Sequence, residues 1–166
     1  MLDVWNKAVL YHLVHAVALF ALAPQLVTPP ALVPGERLVL APQDVPALGA
    51  SPKLIAAPLV DDAHAVWIAR LSKDEIVAFR ARWAAAPRER ECPVHWIETL
   101  DSRPLRLYAA ECPGFGTTPM FSERGDPLFA PRGLDRYLVS VGDGRVIVNL
   151  SRVIAAPERT SAPTPP

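Results

Sequence analysis

The apolar and polar positions divide the chain into three stretches of different character. From Ala8 to Gly35 there is no Asp, Glu, Lys or Arg, and the run Ala8–Ala23 is continuously apolar except for Tyr11, His12 and His15. With Val4 and Trp5 before it and Leu26 and Val27 after it, the run is about long enough to cross a bilayer as a single helix, and a helix is predicted over 3–23. Residues 24–50 carry Pro24, Pro29, Pro30, Pro34, Pro42 and Pro46. Prolines at this density remove helix donors and favour extended backbone. The segment reads as a semi-rigid tether with one short strand at Arg37–Leu40.

Beyond the tether, short runs of Val, Ile, Leu and aromatic residues predict strands over 53–57, 65–71, 75–82, 94–98, 105–110, 136–141 and 145–150. Ser72-Lys73-Asp74 reads as a turn. Gly142-Asp143-Gly144, between YLVSV and RVIVNL, is a hairpin signal because Gly and Asp tolerate positive φ. Residues 84–90 are also compatible with a helical turn. The tail, 156–166, offers no apolar residue beyond Ala and Pro, and is expected to be disordered. The fold class is therefore mostly β, with one N-terminal transmembrane helix. The domains are an anchor at 1–23, a tether at 24–50, a β domain at 51–155 and a tail at 156–166.

Trp5, Tyr11 and Lys7 suit a membrane interface. Ala21-Leu22-Ala23 resembles a signal-cleavage pattern, but Pro24 disfavours cleavage, so an uncleaved anchor is the preferred reading. Lys7 and the α-amino group favour a cytoplasmic N-terminus, which sets the β domain on the outer, oxidising side.

Lys+Arg and Asp+Glu each total 17. No basic stripe interleaved with aromatics appears, so nucleic acid is not expected as a partner. No paired carboxylates, Ser/His set or metal cluster emerges at a usable spacing, and catalysis is not expected. His12 and His15 share one helix face, read as a polar stripe in preference to a haem or quinone contact. Asp61-Asp62-Ala63-His64 reads as a loop rather than a metal site, and His95 as a packed strand residue. Gly114–Gly116 is too short for a phosphate loop. Cys112 has no neighbouring base to make it a nucleophile. Arg88, Glu89, Arg90 and Glu91 read as a solvated face, with partner docking as the alternative.

Both cysteines precede a proline, in Cys92-Pro93-Val94-His95-Trp96 and Cys112-Pro113-Gly114. Together with Ala65–Arg70 (AVWIAR), Val77-Ala78-Phe79, Ala130–Tyr137 (APRGLDRY) and Gly142–Val146 (GDGRV), these phrases make residues 65–154 resemble the Rieske iron–sulfur domain family. The resemblance implies an antiparallel β-sandwich. In that family two thiolates and two imidazoles hold a [2Fe–2S] cluster, and in many members a second cysteine pair clamps the two cluster loops. Counting from Phe79 puts the first-box ligand positions on Trp83 and Ala85. Counting back from Cys92 puts them on Pro87 and Glu89. In the second box, Tyr108 sets the ligand positions at Ala110 and Pro113, with Cys112 between them; a shift by two gives Cys112, Gly114 and Phe115. Every register loses at least three of four ligands. The register through Trp83, Ala85, Ala110 and Pro113 assigns both cysteines to the clamp. The resemblance thus implies a Cys92–Cys112 disulfide and a lost [2Fe–2S] cofactor. Family members are typically exported folded behind a twin-arginine signal; the first arginine here is Arg37, which suits a cofactor-free chain threaded unfolded.

Residues 2–22 are similar, at Trp5, Lys7, Ala8, Tyr11 and His15, to one helix of the small bacterial membrane proteins related to transmembrane protein 256. This supports insertion into a lipid bilayer. The expected function is that of a cluster-free Rieske-like accessory subunit of a respiratory or photosynthetic electron-transfer complex. It would sit in the bacterial inner membrane as a single-pass protein with its β domain in the periplasm, beside cytochromes, oxidase subunits or reaction-centre proteins. The alternatives are a Rieske-type electron carrier with unrecognised ligands, and a free-standing periplasmic binding module.

Overall fold

In the computed structural model, the described residues are Lys7, Val9, Tyr11, His12, Val14, 30–86, 89–100 and 103–158. Eleven strands form two antiparallel sheets: β1 (Ala31–Val33), β2 (Arg37–Leu40), β3 (Lys53–Ile55), β4 (Val66–Arg70), β5 (Ile76–Arg80), β6 (Arg82–Trp83), β7 (Cys92–Leu100), β8 (Arg103–Ala110), β9 (Met120–Phe121), β10 (Arg136–Gly142) and β11 (Arg145–Ile154). The larger sheet has the order β1-β2-β11-β10-β5-β4-β3, and the smaller one β6-β7-β8-β9. The mostly-β expectation holds. Among the described residues no helix is long and apolar enough to cross a membrane. Lys7, Val9, Tyr11, His12 and Val14 are helical, while the rest of the predicted 3–23 helix, including His15, lies outside the described residues.

The β4 and β5 runs, VWIAR and IVAFR, are almost continuously apolar because both faces are covered. Successive side chains alternate between faces. Val66, Ile68 and Ala78 pack into one core with Leu38, Leu40, Ile55, Tyr137, Val146 and Val148. Ala69, Val77 and Phe79 pack into a second core with Trp83, Val94, Tyr108, Phe121 and Leu134, against which Trp67 also rests. The second core joins the two sheets. The Trp67 indole N–H donates to the Val94 carbonyl at 2.9 Å, from β4 to β7.

The β10–β11 hairpin closes as the sequence suggested. Gly142 pairs with Arg145, and the two loop residues, Asp143 and Gly144, have φ of 50° and 68°. Positive φ at both positions is the primed turn that matches strand twist.

Four boundaries need correction. Within the tether expected over 24–50, the short strand at Arg37–Leu40 is present, and together with Ala31–Val33 it belongs to the large sheet. β1 pairs with β2, and β2 pairs with β11 through Leu40–Val146, Val39–Ile147 and Leu38–Val148. Leu38 and Leu40 are fully buried, so apolar burial outweighs the extended bias of the surrounding prolines. The single strand expected over 75–82 is two strands: at Ala81 the chain leaves the large sheet, and Arg82 and Trp83 pair with Pro93 and Cys92 of the small one. Residues 84–86 and 89–90 are not helical. The tail is attached as far as Glu158: the Ala156 N–H donates to Asp135 at 2.9 Å, and Glu158 bridges Arg132.

Candidate functional site

One end of the small sheet carries two loops, 84–91 between β6 and β7, and 111–119 between β8 and β9. Cys92 and Cys112 form a disulfide between their roots, with Cα atoms 5.1 Å apart. The strands bring the two together. β7 and β8 run antiparallel with Val94 opposite Ala110, so Cys92 and Cys112, each two residues farther out, meet at the loop bases. The Glu111 N–H also donates to the Pro93 carbonyl at 2.9 Å.

An aromatic cluster lies beneath the loops. Trp83 is 1 % exposed. Its ring meets Phe115 of the second loop edge-on at 6.0 Å and Phe121 of β9 at 5.4 Å. Its indole N–H donates to the Gly133 carbonyl at 3.2 Å. Of the four positions that the resemblance sets against cluster ligands, Trp83 and Ala110 are buried, Ala85 packs at the edge of the second core, and Pro113 is exposed. None offers a metal-binding atom. Both sulfurs are engaged with each other, and among the described residues no three His, Cys, Asp or Glu side chains converge as metal ligands would. The residues here therefore do not fit a [2Fe–2S] cluster, which needs four side-chain donors.

The segment Ala130–Tyr137 is the bracket behind the loops, a role the sequence did not reveal. Arg132 is buried and ion-pairs with Asp135 while donating to the Ala84 carbonyl at 3.4 Å. The Asp135 carbonyl in turn accepts the Arg80 N–H at 2.9 Å. Gly133 is a site of close approach: a Cβ there would stand 2.7 Å from the Gly125 carbonyl oxygen. Arg136 stacks over Phe79 at 5.3 Å and donates to the Arg124 carbonyl at 2.6 Å. Tyr137 is 2 % exposed, and burial raises its phenol pKa. The motif signal was legible; its physical content is that eight consecutive residues tie the first loop, the β9 turn and the C-terminal segment together.

The docking residues divide. Glu91 is engaged by Arg80 at 3.0 Å and by Arg82 at 3.7 Å. Burial works against the Arg80 charge, but Glu91 and Tyr137 together outweigh it, so the guanidinium pKa is raised. Glu89 and Arg90 are exposed, and Arg88 lies outside the described residues. An apolar set flanks the loops that the sequence reading missed: Phe115, Leu128 and Phe129 are 42 %, 41 % and 67 % exposed. Leu128 and Phe129 are held there by N–H bonds to the Met120 carbonyl at 2.9 and 3.2 Å.

The other expected sites are structural. The Asp61 carboxylate accepts both the backbone N–H and the ring of His64, at 2.9 and 2.7 Å, and these bonds hold its pKa below the usual value. It closes a turn, and among the described residues no group of three metal-ligating side chains includes it. His95, expected as a packed strand residue, is on β7 but exposed, 3.5 Å from Glu111. His12 is exposed on its helical turn. Comparison with family models, with curated proteins and with solved structures returns no match to this chain.

Proposed function

We propose that this protein is a membrane-anchored, cluster-free Rieske-like accessory subunit of a respiratory or photosynthetic electron-transfer complex, with its β domain on the periplasmic face of a bacterial inner membrane. The observation that carries the reading is the stapled loop pair. Two loops at the end of a four-stranded sheet are joined by Cys92–Cys112 and close over Trp83 and Phe115. In the resembled family the corresponding loops enclose the cluster; here the buried Trp83 indole lies beneath them, in edge contact with Phe115 of the second loop. A sandwich that keeps its loop clamp and its bracket motif while replacing donors with packed aromatics suits a scaffold better than an electron carrier.

The exposed Phe115, Leu128 and Phe129 give the loop end an apolar surface suited to a partner subunit. The domain is held close to the bilayer. Because β1 starts at Ala31, only residues 24–30 separate it from the predicted anchor. Such a stretch reaches about 25 Å at full extension, too little for the long swing an electron shuttle needs.

Purification from native membranes in mild detergent, with mass spectrometry of the co-eluting chains and iron analysis, tests the proposal. Stoichiometric cytochrome, oxidase or reaction-centre subunits, with no iron on this chain, is the expected result. Elution alone removes the subunit reading. Two irons per chain would restore an electron-carrying one.

A further inference from the structure

Away from the loops, the two sheets leave a cleft of about 340 Å³ between them. That volume lies within the range of small-molecule sites, about 300–1,000 Å³. Its apolar wall is Leu48, Pro52, Leu71 and the Trp96 indole; its polar wall holds Arg70, Arg106 and Arg124 against one carboxylate, Glu123.

The three guanidiniums differ in what they are already doing. Arg106 is a fixed strut: it meets Glu123 and the Gly49 carbonyl, both at 2.8 Å, and lies over the Trp96 ring at 5.6 Å. Arg124 is 59 % exposed and reaches Glu75 at 3.4 Å. Arg70 has only carbonyl partners, Pro46 at 3.1 Å and Lys73 at 3.2 Å. Among the described residues it has no carboxylate, which leaves its charge uncompensated at the cleft wall. A second polar group lies behind that wall. The Tyr108 hydroxyl is buried without a hydrogen-bond partner among the described residues, and the charges that act on it are those of Glu123 and Arg106.

We propose that this cleft binds a small organic carboxylate with a planar apolar body. The carboxylate lies between Arg70 and Arg124, where planar guanidiniums match it in geometry and charge, and the ring rests on Trp96 between Leu48 and Leu71. A bare inorganic anion would leave the apolar wall unused, and a neutral ring would leave Arg70 without a counter-charge. The proposal is independent of the subunit reading, because the cleft is lined by none of the loop residues.

Calorimetric titration of the full chain in detergent with naphthalene-2-carboxylate, against a detergent blank, tests it. One saturable site is expected. Affinity falls at least tenfold in Arg124→Gln and in Arg70→Gln, and at least tenfold for the neutral naphthalene-2-methanol. Near-UV circular dichroism monitors the fold, which matters for Arg70 because it also holds Pro46; Arg124 is exposed enough for its variant to stay folded. The absence of saturable heat at millimolar probe, equal affinity for the acid and the alcohol, or an unchanged affinity in folded Arg124→Gln would overturn it.

Discussion

In the seven-stranded sheet, Leu38, Val66, Ile68, Ala78 and Val148 are fully buried on strands of four to ten residues. In the four-stranded sheet, β6 and β9 are two residues each. Strands that short carry too few ladder bonds and too little apolar area to hold a sheet by themselves. They persist on either side of the nine- and eight-residue strands β7 and β8 because other contacts support them: a disulfide across the loop roots, the Trp83–Phe121 contact, the Arg132–Asp135 bracket and the Trp67 bond from the neighbouring sheet. The comparison teaches that one chain can build a region from pattern and another from individual contacts. The second kind is the more readily broken at single positions.

Removing Trp83 should break the contrast most sharply. Trp83→Ala empties the space beneath both loops, and losing a buried Trp costs about 3–5 kcal/mol. Amide exchange should accelerate in β6–β9 and at residues 130–137 while Leu38, Ile68 and Val148 stay protected. Uniform loss of protection would show that the two regions are one cooperative unit. Next in size is the disulfide. A bridge closing a loop of sequence separation 20 restricts the unfolded chain by about 3 kcal/mol. The Cys92→Ser/Cys112→Ser double variant should lower the unfolding free energy by that amount in chemical denaturation, and intact mass should show both thiols absent from the non-reduced native protein.

Gly125→Ala tests how closely the turn after β9 and β5 approach. Gly125 has φ +78°, and a Cβ there would stand 2.5 Å from a Phe79 ring carbon. Left-handed strain and overpacking together should cost about 2–3 kcal/mol, read from chemical denaturation. Gly144→Ala, with a similar φ and open space around it, should cost only about 1 kcal/mol.

The smallest effect is alkaline. Burial, then Glu123, raises the Tyr108 phenol pKa well above its usual value of 10.0, and Arg106 opposes this only in part. A folded pKa above the unfolded one means full stability below about pH 10 and progressive loss above it, by at most about 1.4 kcal/mol per pH unit for this group. Tyrosinate absorbance from Tyr108 should appear only together with loss of near-UV dichroism. Ionisation in the folded protein at pH 10 would show that the hydroxyl is wet.

Much of the larger sheet was legible because its signals are local. The alternation in YLVSV and RVIVNL, the Asp143-Gly144 turn and the two-sided apolar runs at 66–70 and 76–80 each depend on neighbours in sequence. β1 and β9 were missed because a three-residue and a two-residue strand carry no period. β2 looked like a detail of a tether because the prolines around it mask the burial of Leu38 and Leu40, which becomes visible only once β11 lies beside them. The cleft was invisible for a related reason. Arg70, Trp96, Arg106 and Arg124 are spread over 55 residues of sequence (124 − 70 + 1) and look like four ordinary surface residues until two sheets converge.

The sequence by itself determined that the domain is mostly β, where its main hairpin turns, and that the positions matched to cluster ligands carry no ligating atoms. Those properties follow from residue chemistry and short-range backbone preference. The tertiary structure decided what those residues do instead. Trp83 and Phe115 pack together because the two loops are brought to one end of a sheet. Ala130–Tyr137 becomes a bracket because three distant segments converge on it. Arg70 lines a cleft with Trp96 and Arg106 because strands of both sheets meet there. Packing and electrostatics depend on which groups become neighbours in space, and burial settles that only after the chain has folded.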